Sequence, residues 1–214
     1  FDAEQITLGR KVTLKVLNPK YEKNPAAHRE FNAEMDLLAG LDFAYTTRIV
    51  FFTGEEQGHY GSYYYARDVA NAGEDILGVL NLDMIAWDAE GGPDIDLHSH
   101  LPGHEDDSDA LADLFAAIVD VYGLDLEPQI VENGTRFSDH SSFWDRGYAA
   151  ILAIEDYYNG YESPAEPRDW NANYHTVNDR LNTLNLTYFR EYVRAGLATF
   201  VHLAAPMRTL NGTV

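Results

Sequence analysis

Apolar positions along the chain switch between a period of two and a period near 3.6, and the switches predict alternating strands and helices. Lys11 to Leu17 alternates, with Val12, Leu14 and Val16 on one face, as a strand open on its other side does. Asn24-Pro25 breaks it, and Ala26 to Leu38 then reads as a helix with Phe31, Met35 and Leu38 at helical spacing. Arg48 to Phe52 predicts a short buried strand, His59 to Ala72 a helix, Ile76 to Leu82 a further strand closing at Asp83, and Asp94 to His98 an alternating strand. Ser108 is the expected N-cap of a helix through Tyr122, whose Leu111, Leu114, Phe115, Ile118, Val119 and Tyr122 form one apolar stripe. Tyr148 to Ile154 follows as a buried strand and Leu186 to Ala205 as a long closing helix. Helices interleaved with short apolar strands predict an α/β sheet covered on both faces. With no internal repeat and no long interior linker, the expectation is a single domain over 1–214.

Composition narrows the chemistry. A chain of 214 residues with 45% hydrophobic residues is long enough to bury roughly 70% of the surface its unfolded form exposes. The net charge of −20 argues against nucleic acid, which is held by clustered Lys and Arg. No cysteine is present, which excludes disulfides, thiolate zinc sites and cysteine nucleophiles, so any metal here takes oxygen and imidazole. No apolar run approaches the roughly 20 residues of a membrane span, so no membrane partner is expected. The first residue is Phe1 rather than Met, as in a processed product or a fragment, and a secreted or extracytoplasmic location is the expectation.

The stretch FFTGEEQGHYGS, residues 51–62, leaves an apolar run, turns on Gly54 and sets Glu55 beside Glu56. Adjacent like charges repel unless a cation or a shared proton separates them. Glu55 and Glu56 follow the strand expected at Ile49 to Phe52, Asp83 closes the strand beginning near Leu77, and His175 lies in the loop NYHTVND. In an α/β sheet such loops converge at the carboxyl ends of strands, where ligands bind. Carboxylate and imidazole donors suit zinc at about 2.0 to 2.2 Å, and a second carboxylate beside a ligand can take a proton from metal-bound water. Taken singly, each residue has a plainer explanation: a solvated helix start for the glutamates, a turn former for Asp83 and a surface histidine for His175. Their joint order carries the argument.

FFTGEEQGHYGS, then VLNLDM at 79–84, SDHSSF at 138–143 and YHTVND at 174–179, in that order, resemble the co-catalytic di-zinc aminopeptidases, the family of bacterial leucyl aminopeptidase with glutamate carboxypeptidase and glutaminyl cyclase as relatives. The resemblance covers roughly 41–206, leaving 1–40 as a divergent N-terminal part. It implies a three-layer α/β sandwich, zinc exopeptidase-like, with a mixed, mostly parallel central sheet flanked by helices. It implies Glu55 as general base, Glu56 and His175 as ligands of one metal, and Asp83 as a ligand of the other. Tyr174 matches a position that in some members holds the tetrahedral oxyanion. Asp139 and His140 match residues that orient the site, or else serve as a helix cap and a buried hydrogen-bonded histidine.

The family's pattern also places, upstream of the GEE motif, a histidine in a His-x-Asp strand end and a bridging aspartate in an Asp-Asn turn. Neither motif occurs here, and the only histidine before Glu55 is His28. An internal gap near Asn18 to Arg29, removing a strand or two, is the simplest account. One metal then keeps Glu56 and His175 and the other only Asp83, fewer protein donors than catalytic zinc usually takes. Substitutes are His98, His100 and His104 in DIDLHSHLPGHEDD, a cluster that either chelates or forms a solvated edge, and donors from self-association or from an associated chain. Three functions follow: a zinc aminopeptidase acting on peptides through metal-activated water, a ligand-incomplete homologue acting as a binding or assembly protein, and a glutaminyl cyclase-like enzyme.

Overall fold

The computed structural model describes residues 43–89, 92–100, 107–156, 169 and 171–204; the strand and helix expected at 11–17 and 26–38, and His104, lie outside them. The chain divides into two compact units, Phe1–Phe51 with Val201–Val214, and Phe52–Phe200. In the first, the Tyr45 amide donates to the Ala204 carbonyl at 3.4 Å. The second carries the sheet and every candidate site residue.

The described elements are α1 (Tyr60–Asn71), β1 (Val79–Leu82), β2 (Asp94–His98), α2 (Ser108–Tyr122), β3 (Glu127–Val131), α3 (Ser141–Trp144), β4 (Ala150–Glu155), a 3-10 turn (Leu181–Thr183) and α4 (Leu186–Ala204). The four strands form one sheet in the order β1-β4-β2-β3. β1 runs parallel to β4, β2 parallel to β3, and β2 antiparallel to β4, so the sheet is mixed. All six residues of β4 are buried, which its apolar run Ala-Ile-Leu-Ala-Ile requires of a strand covered on both faces.

Strand alternation assigns the layers. Val79 and Ala150 point to one face, where they pack with Ala66 of α1, Phe143 and Trp144 of α3, Phe52 and Tyr65. Leu82 points to the other, where Gly196 of α4 lies so close that a Cβ there would come within 2.8 Å of Leu82 Cδ1. On α2 the buried Leu111, Ala112, Phe115, Ile118 and Val119 form the apolar stripe, and Phe115 meets Tyr192 of α4 with ring centroids 6.3 Å apart. Among the described residues no helix is long and apolar enough to cross a membrane.

Three local expectations are corrected. Residues 48–52 are irregular rather than a strand, and Phe51 is 59% exposed, so this apolar run is not covered as a sheet strand would be. The cap of α2 is Asp107, with Ser108 the first helical residue. Of the histidines expected either to chelate or to form a solvated edge, His98 is no solvated edge: it is buried, as is Asp96 on the same strand, since β2 lies between β4 and β3 and residues 134–135 cover His98. Gly134 permits that cover, because a Cβ there would fall 2.4 Å from His98 Cβ.

Candidate active site

The parallel pair β1 and β4 delivers its carboxyl ends to one edge, where the chain continues into Asp83 and Asp156. β2 runs the other way, with Ile95 opposite Glu155 and His98 opposite Leu152, so His98 and His100 lead away from that edge. His100 instead stacks on Trp144, with centroids 4.7 Å apart.

Glu55 and Glu56 sit on the tight turn entering α1. Gly58 and His59 amides donate to the Glu55 carbonyl at 2.9 and 2.8 Å, and Gly54 adopts φ +71° to begin the turn. Gly61 passes against the Thr53 backbone, where a Cβ would lie 2.6 Å from the carbonyl oxygen. The two carboxylates therefore lie on the turn that precedes the helix, ahead of its N-cap His59.

The structure brings His175 to Glu56: its Nε2 lies 2.6 Å from Glu56 Oε1. His175 adopts φ +58°, and the ring of Tyr174 stacks on it at 3.8 Å with planes 18° apart. Asp83 is held from the other side. Asn81 Nδ2 donates to Ser138 Oγ at 2.7 Å, and Ser138 Oγ donates to Asp83 Oδ2 at 2.8 Å. Glu55 lies in the field of this group. Its carboxyl is pushed up to about 7, first by burial and then by the charges of Asp83, Glu56 and Asp139, with His175 opposing. A carboxyl raised toward neutrality is poised for proton transfer.

Asp139 is also raised, by burial first and by Asp83, against a hydrogen bond from Ser62 and the nearby His59. His140 is fully buried: its Nε2 donates to the Thr135 carbonyl at 2.9 Å, its ring meets Trp144 edge-on, and its Nδ1 has no hydrogen-bond partner among the described residues. Burial holds His140 down to about 3 and His98 down to about 4, so both are neutral, and both hold Thr135: its amide donates to His98 Nδ1 at 3.1 Å and its carbonyl accepts from His140.

Sequence reasoning did not single out Asn81, Ser138 or His59. His59 Nε2 lies 3.4 Å from Glu55 Oε1, and its Nδ1 lies 3.5 Å from Ser141 Oγ. The available signals were the four-residue spacing from Glu55, which places two side chains on one face of a turn, and the serine opening SDHSS. Among the described residues no set of three His, Asp or Glu side chains is gathered closely enough to hold a metal ion.

The sequence profile of a family described as Peptidase family M28 matches residues 33–200. The chain belongs to this family. A probable zinc metalloprotease of Pyrenophora tritici-repentis is 27% identical over 190 residues, covering 76% of this chain and 39% of its own length. The chain thus spans about two fifths of that relative's length. Among solved structures, LapB from Legionella pneumophila superposes with a TM-score of 0.60 at 21% identity, over 90% of this chain and 49% of its own. The LapA aminopeptidase of Legionella pneumophila gives 0.58 at 21% identity, over 74% and 39%. The zinc aminopeptidase BSAP of Bacillus subtilis gives 0.52 at 18% identity, over 74% and 35%. These likenesses establish the zinc exopeptidase-like α/β fold of the M28 chain.

Proposed function

We propose that this M28 chain carries the catalytic face of a metal-dependent aminopeptidase, with Glu55 as general base. The observation that carries the reading is the raised Glu55 carboxyl beside the Glu56–His175 contact of 2.6 Å. A carboxylate oxygen and an imidazole nitrogen fit zinc in donor kind; at 2.6 Å they are hydrogen-bonded to each other, and in number they are short by at least one donor among the described residues. Glu56 and His175 would hold a metal, with Asp83 the nearby carboxylate for a second. When bound, zinc would supply a Lewis acid and a water of lowered pKa.

The chain's own residues do the rest. Glu55 accepts a proton from the attacking water and returns it to the leaving amine. Ser138 and Asn81 fix the Asp83 carboxylate. The Tyr174 ring holds the orientation of His175 by stacking, and its hydroxyl is the donor this reading assigns to the developing oxyanion. His140, next to Asp139 in the chain, is tied to the Thr135 carbonyl. The test is zinc by elemental analysis together with release of a chromogenic amine from leucine anilide, abolished in Glu55→Gln. Metal-free, folded protein without turnover would instead support the ligand-incomplete binding or assembly protein, a reading favoured by the absence of a three-donor set among the described residues.

A further inference from the structure

The proposed mechanism gives no role to the imidazole beside Glu55. His59 is the N-cap of α1, yet its side chain makes no capping hydrogen bond, so finishing the helix does not account for it. Its backbone has φ +58°, a left-handed conformation that suits glycine and is disfavoured for a residue with a Cβ. That conformation is pinned by its neighbours. The His59 amide donates to the Glu55 carbonyl at 2.8 Å, and the His59 carbonyl accepts from the Tyr63 amide at 2.8 Å and from Ser62 Oγ at 3.1 Å. A backbone that glycine would satisfy, carrying a side chain that does no capping, points to a use for the imidazole itself.

The ring spans two partners. Nε2 lies 3.4 Å from Glu55 Oε1, long for a hydrogen bond, as contacts to a general base often are before substrate arrives, and Nδ1 lies 3.5 Å from Ser141 Oγ. Ser141 is itself fixed: it is buried, and its hydroxyl donates to the Ser138 carbonyl at 2.9 Å. From this geometry we propose that His59 is the positioning residue of the general base. Ser141 steadies the imidazole, the imidazole holds Oε1 of Glu55, and Oε2 is left to face the attacking water. The proposal rests on the aminopeptidase reading for the role of Glu55. A reacting group oriented by a second group, which a third group orients in turn, is the arrangement that activated nucleophiles use. It has a purpose here because Glu55 stands on a turn with its side chain 28% exposed, free to swing unless something holds it.

Two measurements test it, one of them without turnover. In the zinc-free full chain carrying isotope-labelled histidine, the magnetic resonance signal of the His59 ring, assigned by its loss in His59→Gln, is expected to shift when Glu55→Gln is introduced. In the zinc-supplemented chain acting on leucine anilide, His59→Leu is expected to lower kcat by about 10- to 100-fold, the order that a misplaced reacting group costs, with KM and zinc content unchanged. His59→Gln, whose amide nitrogen reaches the place of Nε2, is expected to recover most of that loss, and His59→Asn, whose amide reaches only the place of Nδ1, to recover none. His59→Gly suits the left-handed backbone, so it is expected to match His59→Leu in kcat while melting no lower than the unaltered chain, and it covers the case in which His59→Leu does not fold. A ring signal indifferent to Glu55→Gln, kcat unmoved in His59→Leu, or equal losses in the Gln, Asn and Leu variants would each overturn the proposal. A shifted signal in a chain without turnover upholds the His59–Glu55 pair and defeats the aminopeptidase, whereas turnover that is lost in Glu55→Gln and indifferent to His59→Leu does the reverse.

Discussion

Asp83 and Glu56 are carboxylates offered to the same edge of the sheet, yet they are held in opposite ways. Asp83 follows a paired strand, its amide bonds Ala153, and its carboxylate receives Ser138, a residue 2% exposed that is itself fixed by Asn81. Glu56 and His175 have side chains 55% and 54% exposed and meet each other from two loops. One side of the site is thus set by the fold before any ligand arrives. The other is a pair of surface side chains, which in water contribute little to stability by their mutual attraction. The difference separates the two sides: the Asp83 side is fixed by the fold, and the Glu56–His175 pair, exposed and hydrogen-bonded only to each other across two loops, is the side that the proposed function has a cation enter.

Substitutions across the site sharpen this contrast. The largest effect is expected at Glu55, between the two sides: Glu55→Gln should lower turnover of an aminoacyl anilide by about 10²- to 10⁴-fold, the usual worth of a general base, with zinc content unchanged. Next comes His175→Ala, expected to weaken zinc by more than about a hundredfold, beyond what loss of a supporting residue costs, while leaving the melting temperature of the zinc-free chain unmoved because both members of the pair are exposed. Ser138→Ala should weaken zinc by about 10- to 100-fold and also lower that melting temperature, since it strands a bound carboxylate. Equal behaviour of the two variants, read by zinc titration and by thermal unfolding, would erase the distinction between the sides.

The smallest effect is in pH dependence. His140 and His98 are held to about 3 and about 4 in the fold, below the roughly 6.5 of an unfolded histidine. As pH falls below that value the unfolded chain takes up protons that the folded chain refuses, so stability is lost on acidification, by about 1.4 kcal/mol per pH unit for each histidine until the folded values are reached. Urea unfolding at pH 7, 6 and 5 should show His140→Gln losing less stability over that range than the unaltered chain; identical slopes would remove His140 from the buried brace.

Much of the fold was legible because burial and periodicity agreed. β2 has the residues its alternation predicts, and β4 and α4 end within two residues of expectation. β3 escaped because Glu-Pro-Gln-Ile-Val mixes polarity and carries Pro128, which suits an edge strand paired on one side. The burial of Asp96 and His98 escaped because alternation shows which residues share a face, not whether a loop covers it. In the site, the pairing of Glu56 with His175 across 119 residues follows from motif order, since both motifs sit at the same sheet edge. Asn81 and Ser138 were less legible: a serine donating to a carboxylate leaves no periodic or charge signal, and the two meet only once β1 and the 138–140 loop are folded together.

The most direct measurement is X-ray absorption at the zinc edge on the zinc-titrated chain, alongside His175→Ala and Glu56→Gln. The account predicts saturable zinc in a nitrogen and oxygen shell whose imidazole signature disappears in His175→Ala and whose occupancy falls in Glu56→Gln. Failure to take up zinc saturably, or a shell identical in all three proteins, would contradict it.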